Sequence, residues 1–488
     1  MSGRESLAGP ALVWFRDDHR LSDNPALSAA VDSGAPLLCL YILDESSQGV
    51  RPLGGAARWW LHGSLDALDR SLRELGNRLV IFQGPAEEVV DRLVETTNPS
   101  GVYWNRRYQA AEIAVDRAIK ARLTARGIAV RSFNGRLLHE PWQVRNRAGR
   151  PFQVFTPYLR AVSAMPVAPP LPRPREIRAG GWPSSLLDSS RSLADLRLEP
   201  ENPNWAAPFT GLWQRGEQAA QERLSTFLEE GLPGYASRRD VPAAEATSRL
   251  SPHLRFGEIG PRQIWHAATA RADGRETDTA KFLSEVVWRD FCHQQLHDNP
   301  DLATAPCNPR FAHFRWAGDN AALEAWRRGL TGYPIVDAGM RQLWRTGWMH
   351  NRVRMIVASF LVKHLLTDWR QGEAWFWDTL LDADAANNAF NWQWVAGSGP
   401  DSAPFHRIFN PVSQGEKFDP DGAYVRAYVP ELADLPSPFV HRPWDAPGDV
   451  LRRAGIAPGE NYPRPIVDHG AARERALGAF RALRDAQT

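Results

Sequence analysis

Cysteine is scarce in this chain: Cys39, Cys292 and Cys307 are the three in 488 residues, far apart and without CxxC or histidine-spaced partners. That spacing argues against a disulfide framework and against a zinc site, and it suits a reducing, cytoplasmic setting. Long apolar runs are missing as well. A membrane span, which needs about 18 or more consecutive apolar residues, is therefore not expected. Met1-Ser2-Gly3-Arg4-Glu5 leads straight into a strand-like segment, so no secretion leader is expected. Nor is there an excess of one charge: 58 Lys and Arg against 56 Asp and Glu leave +2. A polyanion would have to be held by a local patch. No GxGxxG follows the first apolar run, which removes the dinucleotide fingerprint and with it a nicotinamide enzyme. No repeat at a solenoid period is visible.

Tryptophan, by contrast, is abundant at 20 residues, and a Trp-rich core accounts for many of them. The length predicts two domains with sizeable cores. Ala11–Phe15, Pro36–Leu43, Arg78–Phe82, Gly101–Trp104 and Ile128–Arg131 read as buried strands. Between them, 57–75, 86–97 and 110–126 carry helical spacing. Alternating strand and helix predicts an α/β domain at 10–140, a doubly wound parallel sheet with right-handed crossovers. A connector at 141–210 follows, rich in proline and glycine from Pro166 to Pro183. From 211 the apolar spacing is helical, as in Ala220, Leu224, Phe227 and Leu228, and predicts an all-α domain over 211–488 that closes in an amphipathic helix.

Three clusters point to chemistry. Between Gly347 and Trp394, the segments Gly347–Met355, Asp382–Asn388 and Trp392–Trp394 set acids, amides, arginines and indoles in an apolar helical region. Such polar groups are costly to bury unless bonded, and an apolar pocket with a few convergent polar groups suits a large heterocyclic cofactor. Tyr235, Arg238, Arg239 and Thr247-Ser248-Arg249-Leu250-Ser251 gather hydroxyls and arginines around a helix start. Free N-terminal amides there can cradle a diphosphate, although a Thr-Ser pair is more often a helix cap. Glu285 and Trp288 share one helical face. An acid beside an indole can bond a base edge while the ring stacks on a base, and a Glu285 ion pair with Arg289 is the plainer reading.

Taken together these motifs resemble the photolyase/cryptochrome flavoprotein family over nearly the whole chain. The likeness rests on Trp14-Phe-Arg-Asp-Asp-His-Arg-Leu-Ser-Asp-Asn-Pro25, Thr247–Ser251, Gly332-Tyr-Pro-Ile-Val-Asp-Ala338, Gly347–Met355 and Arg407-Ile-Phe-Asn-Pro411, in order. The resemblance implies FAD in the helical domain. Tyr235 and Thr247, Ser248, Arg249, Leu250 and Ser251 would hold its phosphates. Asp382 and Asp384 would face its ribityl chain and ring edge, with Arg354 paired to Asp382. Asn388 would sit by flavin N5, with Asn387 as the fallback. Trp392, Trp369 and Trp316 match the family's electron relay. For the substrate, UV-damaged DNA, Trp288 and Trp394 would wall the pocket and Glu285 would bond the pyrimidine. Asn351 and Met355 would complete it, while Arg239, Arg289, Arg352 and Arg407 would contact the DNA. The plainer reading of the arginines is a solvated, salt-bridged surface.

Met355 with the Trp288/Trp394 pair matches photolyases acting on cyclobutane dimers, whereas a (6-4) photolyase would place a histidine pair there. A cryptochrome that signals to a protein partner is the competing expectation. Ala389-Phe390-Asn391 stands where two glycines are common, and His406 where an aromatic is usual. The pattern looks closer to class III bacterial photolyases than to class I. The family's N-terminal sheet often holds an antenna chromophore, a folate or a deazaflavin, which would meet Trp104-Asn105-Arg106-Arg107-Tyr108 and Glu112; folate is favoured by the class III likeness, and an empty site is the alternative. The expected state is a monomer away from membranes.

Overall fold

The computed structural model describes residues 9–402 and 404–485. β1 (Ala11–Phe15), β2 (Leu37–Leu43), β3 (Leu79–Gln83), β4 (Gly101–Asn105) and β5 (Ala129–Phe133) form one parallel sheet in the order β3-β2-β1-β4-β5. β1 and β2 are buried along their length, as strands covered on both faces must be, and β5 forms a half-exposed edge. The anticipated helices run Gly55–Glu74, Ala86–Thr97 and Ala110–Ala125. Pro25–Asp32 is a further helix of eight residues, too short for periodicity to betray. The strand order reverses between β1 and β4, which opens a crevice at their carboxyl ends.

The contacts divide the chain otherwise than limits at 140 and 210 would. Of the described residues, those up to Pro233 pack with Ser248–Pro300, and Gly234–Thr247 pack with those from Asp301 onward. The cause lies in the motif that follows β1. His19 N donates to Phe256 O (3.1 Å) and Arg20 Nη1 to Gly257 O (2.8 Å). Asp17 pairs with Arg136 and with Arg255 (3.0 Å). Gly257 has φ +66°, and a Cβ there would lie 2.1 Å from Asp17 O, so only glycine lets these backbones meet. Trp60 Nε1 donates to Glu258 Oε1 (3.1 Å). Thus 248–300 is bonded to the sheet through buried charges that apolar periodicity does not register.

Part of the expected connector is likewise tied down. It carries the helix Phe155–Ser163, and Leu37 N donates to Arg178 O while Gly180 N donates to Leu37 O.

In the second unit, Pro334–Thr346, Asn351–Ser359, Trp369–Thr379 and Ala385–Ala396 are helices around a shared apolar core. Gly339 allows the first two to touch, since a Cβ would lie 2.4 Å from Val353. The buried Asp337 accepts from Thr331 N and Oγ1 (both 2.7 Å), Gly332 N (3.0 Å) and Tyr462 OH (2.8 Å), which gives the Gly332–Ala338 motif a structural role. Among the described residues no helix is long and apolar enough to cross a membrane.

Burial alone would raise the Asp17 carboxyl, but Arg136, Arg255 and Arg107 hold it well below the usual carboxylate range. Its contribution is therefore complete above about pH 4 and fades as pH falls below that. Asp17→Asn is expected to cost about 3 kcal/mol at pH 7, as when one partner of a buried pair is removed. Urea unfolding followed by circular dichroism checks this, and an unchanged midpoint would show the network to be dispensable.

Candidate functional site

The helix Asn351–Ser359 starts on a histidine cap: His350 Nδ1 accepts from Arg352 N at 3.1 Å. Burial pushes this imidazole down to about 4, so it is neutral and keeps the lone pair that the cap uses. Asn351 is exposed while Arg352, Arg354 and Met355 are half-buried. Arg354 grips the buried Asp382 with both terminal nitrogens (2.8 and 3.1 Å), and its Nε donates to Met349 O (2.8 Å). Two residues on, Asp384 caps Ala385–Ala396 by accepting from Ala386 N (3.1 Å) and Asn387 N (2.9 Å).

The two asparagines then diverge. Asn387 Nδ2 folds back to donate to Asp384 Oδ1 (2.8 Å). The buried Asn388 donates through Nδ2 to Glu373 Oε1 (2.9 Å) and Glu373 O (3.0 Å). Its carbonyl oxygen meets no donor among the described residues. An acceptor oriented in this way on a buried side chain suits a ring N–H, as a reduced flavin carries. Glu373, which orients it, lies on the Trp369–Thr379 helix outside the motifs and gave no sequence signal.

Trp369 and Trp392 lie fully inside the core of the second unit, and the partly buried Trp316 packs against it. Their ring contacts among the described residues go elsewhere than to one another. Trp392 meets Phe376 (5.0 Å) and Trp326 (6.2 Å), and Trp316 meets Phe314 (4.4 Å). Trp326, fully buried with Nε1 donating to Val357 O (3.0 Å), is an aromatic partner that the sequence motifs did not single out. Trp394 is partly buried on the same core.

The arginines separate by partner. Arg352 Nη2 donates to Asp240 Oδ2 (2.8 Å) and its guanidinium lies over Phe418 (4.4 Å). Arg239 also approaches Asp240 (3.8 Å) and lies over the buried Tyr235 (5.5 Å). Arg407 is exposed and makes no ion pair among the described residues. Arg289 corrects an expectation: it is buried, and its Nη1 donates to Arg136 O (2.5 Å), so it braces the first unit instead of facing a nucleic acid.

Within the first unit, Glu285 and Trp288 share the helix Glu276–Asp298. Glu285 pairs with Lys281 (3.1 Å), one turn earlier. Trp288 stacks on Phe155 with ring centroids 3.6 Å apart and planes 10° from parallel. Such a stack contributes about 0.5–1.5 kcal/mol beyond burial, and it covers one indole face. Asp290 Oδ2 accepts from Leu138 N (2.9 Å) and His139 N (3.1 Å), which fixes the helix against the sheet's return loop. Arg249 is held at a left-handed φ of 51°, followed by Leu250 in the right-handed region. Alternation of that kind turns successive N–H groups to one side, an arrangement that receives phosphate oxygens. Ser248, Arg249 and Ser251 are half-buried and Leu250 is buried; Thr247, also half-buried, falls in the second unit with Tyr235.

The proposed antenna contacts are largely used internally. Trp104 Nε1 donates to Asp116 Oδ2 (3.0 Å), Asn105 Nδ2 to Asp18 and Asn24, and Tyr108 OH to Glu140 Oε2 (2.8 Å). Arg106 pairs with Glu140 as well. Arg107 pairs with Glu112 (3.3 Å), but its buried Nε and Nη2 make no hydrogen bond among the described residues.

With this geometry in hand, residues 11–175 match the family described as DNA photolyase and residues 282–482 the FAD binding domain of DNA photolyase. The chain is 51% identical over 479 residues to a deoxyribodipyrimidine photo-lyase of Agrobacterium fabrum, covering 97% of this chain and 98% of that one. It is 40% identical to cryptochrome-1 of Arabidopsis thaliana, over 97% of this chain and 71% of that one. Among solved structures, a bacterial class III photolyase from Agrobacterium tumefaciens aligns with a TM-score of 0.95 at 49% identity, covering 99% of both chains. Full-length likeness of this degree, with the ordered motifs and the α/β-plus-helical architecture, settles the relationship: the chain belongs to the photolyase/cryptochrome family.

Proposed function

We propose that this protein repairs cyclobutane pyrimidine dimers in UV-damaged DNA, driven by light. The observation that carries this reading is the complete set Glu285, Trp288, Asn351, Met355 and Trp394 in a chain that matches a deoxyribodipyrimidine photo-lyase along 97% of its length. The occupants of positions 351 and 355, asparagine and methionine, do not supply the histidine pair that (6-4) chemistry would use. A signalling cryptochrome is the second reading, favoured by the 40% identity to a plant cryptochrome.

When bound, FAD supplies the light-excited electron that splits the dimer's ring bonds and takes it back afterwards. The chain's own part is to hold, orient and exclude water. Arg354 and Asp382 anchor the polar turn that leads into the Asp384 cap. Following the family likeness, Asn388 would offer its carbonyl oxygen to the flavin N–H, and Arg249–Ser251, like Tyr235 and Thr247, would receive its phosphates. Trp316, Trp369 and Trp392 carry an electron through the core, since indoles oxidise readily. Glu285 bonds the pyrimidine edge, while Trp288 and Trp394 give apolar faces to the flipped bases. Arg239, Arg352 and Arg407 meet flanking phosphates, Arg407 with the least internal neutralisation.

A second, light-gathering pigment would find donors at Arg107, beside the crevice where the strand order reverses. Folate is favoured by the class III likeness, with a deazaflavin as the alternative. An archaeal photolyase from Sulfolobus tokodaii, 31% identical, is described as having two FAD molecules that imply a novel light-harvesting cofactor. Action as a monomer in the cytoplasm completes the reading, and the free thiols of Cys39, Cys292 and Cys307 are consistent with a reducing compartment.

Illumination of the reduced protein with dimer-containing DNA should remove dimers, and a dark control should not. Glu285→Ala removes a charged hydrogen bond worth about 1.5–3 kcal/mol, so substrate affinity should drop roughly tenfold to a hundredfold. Flavin photoreduction without any dimer loss would point to the photoreceptor instead. Trp392→Phe should stop photoreduction by external donors yet leave repair by chemically reduced protein intact. Photoreduction at the wild-type rate in that variant would remove Trp392 from the relay.

A further inference from the structure

We infer that Lys363 is a positioning residue for Arg407, holding the backbone of the loop that presents this guanidinium to a DNA phosphate. The inference rests on the repair reading, which makes Arg407 a DNA contact.

Lys363 lies in a π-helical turn, Phe360–His364, and is 1% exposed. Such turns interrupt regular hydrogen bonding and occur often at functional positions. Among the described residues its Nζ has one hydrogen bond, donated to Arg407 O at 2.9 Å, and it stands 5.4 Å over the Phe405 ring. An ammonium with three donors and one acceptor is an expensive group to bury. The chain does so although lysine is its rare base: Lys120, Lys281, Lys363 and Lys417 are the only lysines among 58 Lys and Arg. Stability does not explain the choice.

What the ammonium reaches does explain it. Phe405 is buried against Phe314 (5.3 Å) and Phe480 (4.9 Å, stacked) and anchors one end of the loop. Arg407 N donates to Pro404 O (2.9 Å) and Ile408 N to His406 O (3.0 Å), so the turn is tight and leaves the Arg407 side chain exposed. Arg239 and Arg352 share Asp240, whereas Arg407 has no ion pair among the described residues. The arginine with the freest charge is thus the one whose carbonyl is held from beneath.

Burial pushes the Lys363 amine down to about 7, and the Arg407 charge adds to this. Beside it in the same turn is His364, pushed down to about 3 and so uncharged, and against His364 lie His469 and Arg475 of the helix His469–Asp485. A phosphate on Arg407 offsets that repulsion and favours protonated Lys363. DNA binding then takes up a proton, and affinity is highest below pH 7 and declines as pH rises above it. The folding linkage has the opposite sense. Because the amine is depressed only in the folded chain, removing it should not lower stability between pH 7 and 10, where the unfolded chain binds the additional proton.

The test measures fluorescence-anisotropy titrations of a dimer-containing duplex with the holoprotein, Lys363→Met, Arg407→Ala and the double variant, at pH 6.5 to 8.5 and several salt concentrations, with Tm alongside. Lys363→Met should weaken binding roughly threefold to tenfold at pH 6.5 and reduce the log–log salt slope by about 0.9, the value of one phosphate contact. Its pH dependence should vanish, its Tm should be equal or higher, and the double variant should bind no worse than Arg407→Ala. Unchanged affinity overturns the proposal. So do additive losses with an unaltered salt slope and a lower Tm, the mark of a merely structural lysine. Should Lys363→Met fail to fold, the pH profiles of wild type and Arg407→Ala decide: a decline above pH 7 confined to wild type supports the proposal, and the same profile in both overturns it. Wild-type protein that binds the duplex with this pH and salt behaviour but does not repair it would sink the repair reading alone; protein that binds no duplex sinks both.

Discussion

The ion pair between Arg354 and Asp382 is the constraint on which the polar part of the second unit depends. Each charge would be costly alone in this apolar surrounding, and two parallel hydrogen bonds at 2.8 and 3.1 Å make the burial tolerable. The pair ties the Asn351–Ser359 helix to the turn before Ala385–Ala396. From that turn Asp384 starts the next helix, and helical geometry then sets Asn388 and Trp392 on one face, four residues apart. Gly372 lets the Trp369–Thr379 helix lie against this face, because a Cβ there would fall 2.1 Å from the Trp392 ring. A carboxylate, an amide and an indole thus inherit their positions from one buried pair and one missing side chain.

Buried charge serves a second purpose in the first unit. The Trp14–Pro25 motif looks chemical, with two acids, two arginines and a histidine in succession, yet its side chains are used to bind the sheet to 248–300. Asp337 in the Gly332–Ala338 motif is likewise fully committed to Thr331, Gly332 and Tyr462. Motifs that identify a family therefore need not touch its substrate. Some mark the places where a chain pays for close packing with glycine and paired charge.

The near-neutral total charge takes on a meaning once partners are known. Arg239 and Arg352 lean on one aspartate, so part of their positive charge is already answered within the protein. Arg407 stands apart. A few unneutralised cations can grip a phosphate backbone where a strongly basic surface would bind DNA of every kind.

Much of the architecture was legible in the sequence, because alternating apolar runs and helical spacing report directly on what must be buried. All five strands lie within two residues of their expected ends, and Arg354 pairs with Asp382 as the resemblance implies, whereas the Asp384 cap was not anticipated. Short or charge-made features escaped: the eight-residue Pro25–Asp32 helix, and the attachment of 248–300 to the sheet. Glu285 pairing with Lys281, Glu373 orienting Asn388, Phe155 covering Trp288 and Lys363 under Arg407 were equally invisible. The family and the element order could be read from the sequence alone, since these depend on periodicity and on residue type at fixed spacing. It took the tertiary structure to settle where each asparagine spends its amide, Asn387 on Asp384 and the buried Asn388 on Glu373, and that Arg407 makes no ion pair among the described residues, because a hydrogen bond is spent on whichever partner the fold brings within about 3 Å, however distant in the chain.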